Sequence, residues 1–177
     1  AFETVVTTDQ GLQMLEAFHH LSKREAIKRA VEKKALDVYG IFNAELNNVF
    51  KEFNHDRKNP PIAPGFPKYA GAALWAKGLQ KRLQFQMDLL NSTYYLKSCR
   101  EHVDAQTQVY NSSSSMDEYI KKNYQDWTLT IDENYGAKLE KNLLVQVAGG
   151  YLDMNFDKDL VRLFQEVRYW EKLMFPI

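Results

Sequence analysis

With 177 residues, 45 % of them hydrophobic, the chain carries enough apolar surface to bury a core, which excludes wholesale disorder. Lys+Arg and Asp+Glu balance at 23 each, which removes the electrostatic reason to seek nucleic acid or an anionic membrane. The single cysteine, Cys99, excludes a disulfide framework within the chain, and no apolar run approaches the ~20 residues of a membrane span.

Thr8 is read as the N-cap of a first helix, with Asp9 in the first turn and Leu12, Leu15 and Phe18/His19 at helical spacing to about Leu21. A longer helix follows from about Arg24 to Asp56. Its stripe is Ile27, Val31, Ala35, Val38, Phe42, Leu46, Val49 and Phe53, opposite a charged face. Gly40 in mid-helix and Asn47-Asn48 on the flank favour one face of a multi-helix bundle over a coiled-coil seam. Then comes Asn59-Pro60-Pro61-Ile62-Ala63-Pro64-Gly65-Phe66-Pro67, which holds all but one of the chain's five prolines. Each proline removes a backbone donor and disfavours helix in the residue before it, so this stretch is a stiff connector.

A third helix starts near Ala70 with Leu74/Trp75, Leu79, Leu83 and Met87 on one side. Leu96, Cys99, Val103 and Gln106 suggest another. Ser112 to Ser115 read as a short linker. The next helix runs from about Met116 to Asn142, directing Tyr119, Ile120, Tyr124, Trp127, Ile131, Tyr135 and Leu139 to the core. Two short β-suited runs around Ala148-Gly149-Gly150 predict a hairpin near Leu143–Phe156. Asp157 then caps a last helix that brings Leu160, Leu163, Phe164, Val167, Trp170 and Met174 to one face. The expected blocks are N-terminal helices (1–58), a proline-rich connector (59–69), and a helical bundle (70–177). The last block contains the serine linker (112–115), the hairpin (143–156) and the final helix (157–174). The chain opens Ala1-Phe2 and stops at Pro176-Ile177 just after a helical pattern, so it reads as an excerpt of a longer one.

Chemistry-bearing patterns are sparse. There is no G-x-x-x-x-G-K-[ST] or G-x-G-x-x-G loop, and Gly149-Gly150 reads as a turn. Cys99 and His102 at helical spacing read as coincidence rather than a nucleophile and its base. The sequons at Asn91 and Asn111 would go unused in a reducing compartment. Two Glu-x-x-His motifs, Glu16…His19 and Glu52…His55, have the spacing that di-iron bundles use, but no further inward Glu accompanies them. They read as solvated charge, and no metal, cofactor or catalytic residue is assigned. Trp75, Trp127, Phe156 and Trp170 are the expected core anchors. Pro61, Ile62 and Phe66 are the expected partner surface, because apolar side chains held on a proline scaffold lose little entropy on binding.

Three ordered blocks resemble the tail of dynein heavy chains. They are Pro60–Pro67 running into Gly71-Ala72-Ala73-Leu74-Trp75, Tyr124-x-x-Trp127 ahead of Leu143-Leu144, and Asn155-Phe156-Asp157-x-x-Leu160-x-x-Leu163-x-x-Glu166-Val167-x-Tyr169. The resemblance covers Asn59 to Ile177 best, and Tyr169-Trp170-Glu171-Lys172-Leu173 leans towards axonemal members. It implies a mainly α fold of elongated antiparallel helical bundles with one short hairpin, acting as a non-catalytic, cofactor-free tail segment. The expected partners are dynein intermediate and light chains, neighbouring heavy chains, and docking or doublet-associated proteins. The expected location is the cytoskeleton of a ciliary or flagellar axoneme. The family's ATPase ring and microtubule-binding stalk lie outside the tail. An unrelated α-helical cytoskeletal adaptor and a di-iron enzyme are the rival readings.

Overall fold

A computed structural model describes residues 7–17, 25–155 and 157–177, without the side chains of 17, 25–28, 132 and 158. The described residues form helices α1 (Thr8–Ala17), α2 (Glu25–Asp56), α3 (Lys68–Ser92), α4 (Tyr94–Lys97), α5 (Arg100–Asn134), α6 (Gly136–Leu139) and α7 (Lys158–Lys172). Strands β1 (Leu144–Gln146) and β2 (Leu152–Met154) form an antiparallel hairpin between α6 and α7. The fold is mainly α and its helix packing is that of a bundle, as the sequence predicts. The chain divides into two compact units, Ala1–Lys58 with Gly78–Met116, and Asn59–Lys77 with Asp117–Ile177. Helices α3 and α5 each contribute to both, whereas the blocks read from sequence are contiguous.

In the first unit, α1 packs on α2. The α2 stripe is buried from Val31 through Phe53 at the expected positions, and Leu79, Leu83, Met87 and Leu90 of α3 are buried too. Gly40 lies exposed with open space where a Cβ would stand. The sequence reading missed Tyr39. Its ring is buried, its hydroxyl donates to the Leu96 carbonyl at 2.9 Å, and it meets His102 Nδ1 at 3.1 Å. One hydroxyl proton cannot serve both acceptors, so with Leu96 taking it, His102 donates from Nδ1. Burial pushes the His102 pKa down and the Tyr39 pKa up, which keeps both groups neutral.

Several expectations need correction. Thr7, not Thr8, caps α1, because the Gln10 N–H points at Thr7 Oγ1 (3.4 Å). Thr8 is helical and buried, and its hydroxyl donates to Glu45 Oε2 at 2.9 Å. Ser112–Ser115 are not a linker but lie within α5. Their low helix propensity is overridden by packing. Ser112 is buried on the same side as Ala105, Val109, Met116 and Ile120, at steps of three and four. Ser115 Oγ bonds back to the Asn111 carbonyl at 3.2 Å, and Gln80 Nε2 donates to the Ser113 carbonyl at 2.8 Å. The α5 stripe therefore includes His102, while Val103 faces solvent. At its far end α5 stops at Asn134, before the expected Asn142, and Leu139 is exposed rather than packed.

In the second unit, Ala70, Ala73 and Ala76 of α3, Ile120 and Trp127 of α5, and Leu160, Leu163 and Trp170 of α7 are buried. Asp157 caps α7, accepting from the Asp159 N–H at 2.9 Å, as the sequence predicts. Lys138 ties that cap down with contacts of 2.8 Å to Asp157 and 3.0 Å to Asp159. Those hydrogen bonds push its pKa up to about 12. At the other end Met174 takes φ 63°, a left-handed conformation for which glycine is the usual residue. The Met174 N–H returns to Glu171 O (2.9 Å) and the Phe175 N–H to Trp170 O (3.1 Å), a complete Schellman closure. Of the expected α7 face, Phe164 and Met174 are exposed, and the buried member that sequence reading passed over is Glu166.

Candidate functional site

The proline-rich stretch is built from two turns. The Ile62 N–H bonds to the Pro60 carbonyl (2.8 Å) and the Phe66 N–H to the Ala63 carbonyl (3.1 Å). The second turn has Pro64 at its first central position and Gly65, at φ 84°, at its second, the requirement of a type II turn. The loop then enters α3 through Pro67, which is buried. Proline has no side-chain acceptor for the first-turn N–H groups of the helix. Glu166, on α7, supplies one. Its Oε1 accepts from the Tyr69 N–H at 2.8 Å and its Oε2 from the Ala70 N–H at 2.7 Å. The carboxylate thus lies at the positive end of the α3 dipole. Burial raises the Glu166 pKa, the backbone donors of Ala70 and Tyr69 pull it back, and the net direction is up.

Side-chain packing fixes the loop from the other side. A Cβ on Gly71 would stand 2.7 Å from Ile62 Cγ2 and 3.5 Å from Phe66 Cβ, so glycine is needed for Ile62 to lie against the helix. Phe66 rests on Tyr169 with ring centroids 5.0 Å apart, and Lys172 Nζ lies 5.0 Å from the Tyr169 ring. Beside the loop is a cleft of about 420 Å³ lined by Phe66, Lys68, Trp127, Tyr135, Arg162 and Gln165, among others.

The three loop residues singled out by sequence share this one feature but differ in role. Pro61 is exposed, Phe66 is 42 % exposed, and Ile62 is half-buried as the pin against Gly71. Trp127 and Trp170 are both buried and meet at 5.8 Å, with Tyr124 and Phe175 completing the aromatic cluster around them. Trp75 is elsewhere in the unit, half-buried and edge-on to Tyr119 at 6.2 Å. Phe156 falls outside the described residues. Sequence reading missed Glu166, although two signals mark it. It sits on the Leu160/Leu163/Trp170 stripe, and the helix after Pro67 lacks a capping side chain of its own.

The chemical candidates make other contacts. Cys99 Sγ donates to the Tyr95 carbonyl while the His102 ring turns to Tyr39. Glu52 accepts from Arg82 at 2.9 Å, the His55 side chain is 88 % exposed beside Asp56, and His19 is outside the described residues. No group of three metal-ligating side chains forms among the described residues, and no helix there is long and apolar enough to cross a membrane.

The family model for "Dynein heavy chain, N-terminal region 1" matches residues 1–177. Dynein axonemal heavy chain 2 of Mus musculus is 38 % identical over 99 % of this chain and 4 % of its own length. The Dynein-1-beta heavy chain of the Chlamydomonas reinhardtii flagellar inner arm I1 complex is 35 % identical over 100 % of this chain and 4 % of its own. The gamma chain of that organism's flagellar outer arm is 27 % identical over 97 % of this chain and 4 % of its own. This chain therefore spans only about 4 % of the length of the curated relatives it matches. The blocks that carried the resemblance are the proline loop running into the Gly71 helix start, Tyr124-x-x-Trp127 ahead of Leu143-Leu144, and the Asn155–Tyr169 run into α7, and the chain belongs to the dynein heavy chain N-terminal region family.

Proposed function

We propose that this segment is a non-catalytic, cofactor-free scaffold in the tail of an axonemal dynein heavy chain. It holds intermediate and light chains against neighbouring heavy chains, and it works in the cytoskeleton of a cilium or flagellum. Docking or doublet-associated proteins are further partners of the same kind. The observation that carries the reading is the proline-rich loop. Its backbone is fixed by its two turns and by the Ile62–Gly71 contact, and Glu166 caps the helix start that follows it, yet Pro61 and Phe66 remain exposed. A surface already held in one conformation loses little entropy on binding, which suits a permanent subunit contact. The contact residues are Pro61 and Phe66, with Ile62 as the pin beneath them and Trp75, Trp127 and Trp170 as support.

The test is Pro61→Ser with Phe66→Ser in the full-length heavy chain. The purified complex is expected to retain less than about half of its intermediate and light chains, with the motor's ATPase rate unchanged. Full subunit recovery would remove the loop from the partner surface.

A further inference from the structure

The chain passes between its two compact units at Lys58/Asn59, Lys77/Gly78 and Met116/Asp117. The first passage follows the end of α2, but the other two lie inside the continuous helices α3 and α5. Both helices are weak there. In α3, Gly78 is exposed and a Cβ added to it would meet nothing within 4 Å, so packing does not require glycine and its backbone freedom stays available. Helix α5 reaches its passage through Ser112–Ser115, residues that favour caps and turns over helix interiors. Ser115 Oγ donates to the Asn111 carbonyl at 3.2 Å, a back-bond of the kind that bends helices. Gln80 Nε2 donates to the Ser113 carbonyl at 2.8 Å. In an α-helix that carbonyl pairs with the N–H four residues on, which is that of Asp117. A buried side chain of α3 thus competes for the bond that carries α5 across its own boundary. The two weak points lie at one level, because Gln80 meets Ser113 on one side of the boundary and Lys77 approaches Asp117 to 4.0 Å on the other. Gly40 makes the contrast: it is equally open, but α2 lies wholly within one unit.

We propose that α3 and α5 bend together at Gly78 and at Ser113–Asp117, a paired hinge about which the two units move as packed blocks. A few residues that absorb backbone rotation are enough for such a motion. Neither core has to open, since Val31 to Phe53 are buried within one unit and Trp127 with Trp170 within the other. This hinge is independent of the proline loop and of any partner that loop takes.

The test is pulsed electron resonance on the intact dynein complex, with spin labels at the exposed positions 103 and 168, one in each unit, and a control pair at the exposed positions 51 and 103 within one unit. The 103–168 distance distribution is expected to be at least about twice as broad as that of the control pair. Equal widths overturn the proposal. Gly78→Ala combined with Ser113→Ala, Ser114→Ala and Ser115→Ala stiffens both helices without a clash at position 78, and is expected to bring the 103–168 width down to that of the control. Gly78→Ala alone should bring it part of the way. Gly40→Ala, which stiffens a helix that does not cross the boundary, should leave it unchanged. A width that neither Gly78 variant narrows, or that Gly40→Ala narrows as much, overturns the hinge. Gln80→Leu leaves the Ser113 carbonyl to the Asp117 N–H alone and is expected to slow exchange of that amide about tenfold. An unchanged rate overturns the part given to Gln80.

Discussion

The proline loop and the hairpin lie in the same compact unit and treat their main chain in opposite ways. At the loop, the N–H groups left over by a proline-led helix start are collected by one buried carboxylate from α7. At the hairpin, an equivalent set of groups on β1 is left open to solvent, with leucines on either side. Buried polar groups demand partners, because an unpaired one costs the full desolvation penalty. The loop is therefore held to one conformation by the chain itself, while the outer edge of the hairpin has no backbone partner among the described residues. One region presents a rigid surface and the other an open edge.

Glu166→Ala should have the largest effect on this contrast. It orphans the N–H groups of Tyr69 and Ala70 at a buried helix end and is expected to cost about 2–4 kcal/mol in urea unfolding. A loss under about 1 kcal/mol would make the cap incidental. The same residue has a pH signature. Its folded pKa is raised from the ordinary glutamate value of 4.5, so the folded state keeps the proton longer than the unfolded state. Its contribution to stability is therefore greatest below 4.5 and falls as pH rises through the folded pKa. Subtracting the pH profile of Glu166→Gln from that of the native chain isolates this slope, which should be negative in that window.

Gly71→Ala comes next. The new Cβ meets the stiff, branched Ile62 Cγ2, and the expected cost is about 1–3 kcal/mol by thermal unfolding. Ile62→Ala in the same chain should relieve most of the clash, and a strictly additive double variant would sharpen the picture against direct contact. Leu152→Ser on the hairpin should do least. With that side chain 70 % exposed, the stability of the chain alone is expected to shift by no more than about 0.5 kcal/mol. A larger loss would mean that the hairpin is already packed.

Local signals were legible in the sequence. Asp157 stands where an N-cap must, Gly149-Gly150 closes a hairpin at φ 95° and 81°, and the α2 stripe from Val31 to Phe53 follows the helical period. Two kinds of feature were not. Ser112–Ser115 look like a linker by propensity, but the α5 packing stripe on either side carries the helix through them. Glu166 looks like one more surface acid, because the N–H groups it serves lie 97 and 96 residues away. Distance along the chain, not chemistry, hid the group that most directly positions the candidate site.

The most direct measurement of the central claim is hydroxyl-radical footprinting of Phe66 in the full dynein complex, before and after its intermediate and light chains are stripped by salt. Tyr151 on the hairpin serves as the comparison. Labelling of Phe66 is expected to rise at least about threefold on stripping, because this residue, 42 % exposed in the chain alone, would be covered by a subunit in the complex. Equal labelling of Phe66 in both states would contradict the account.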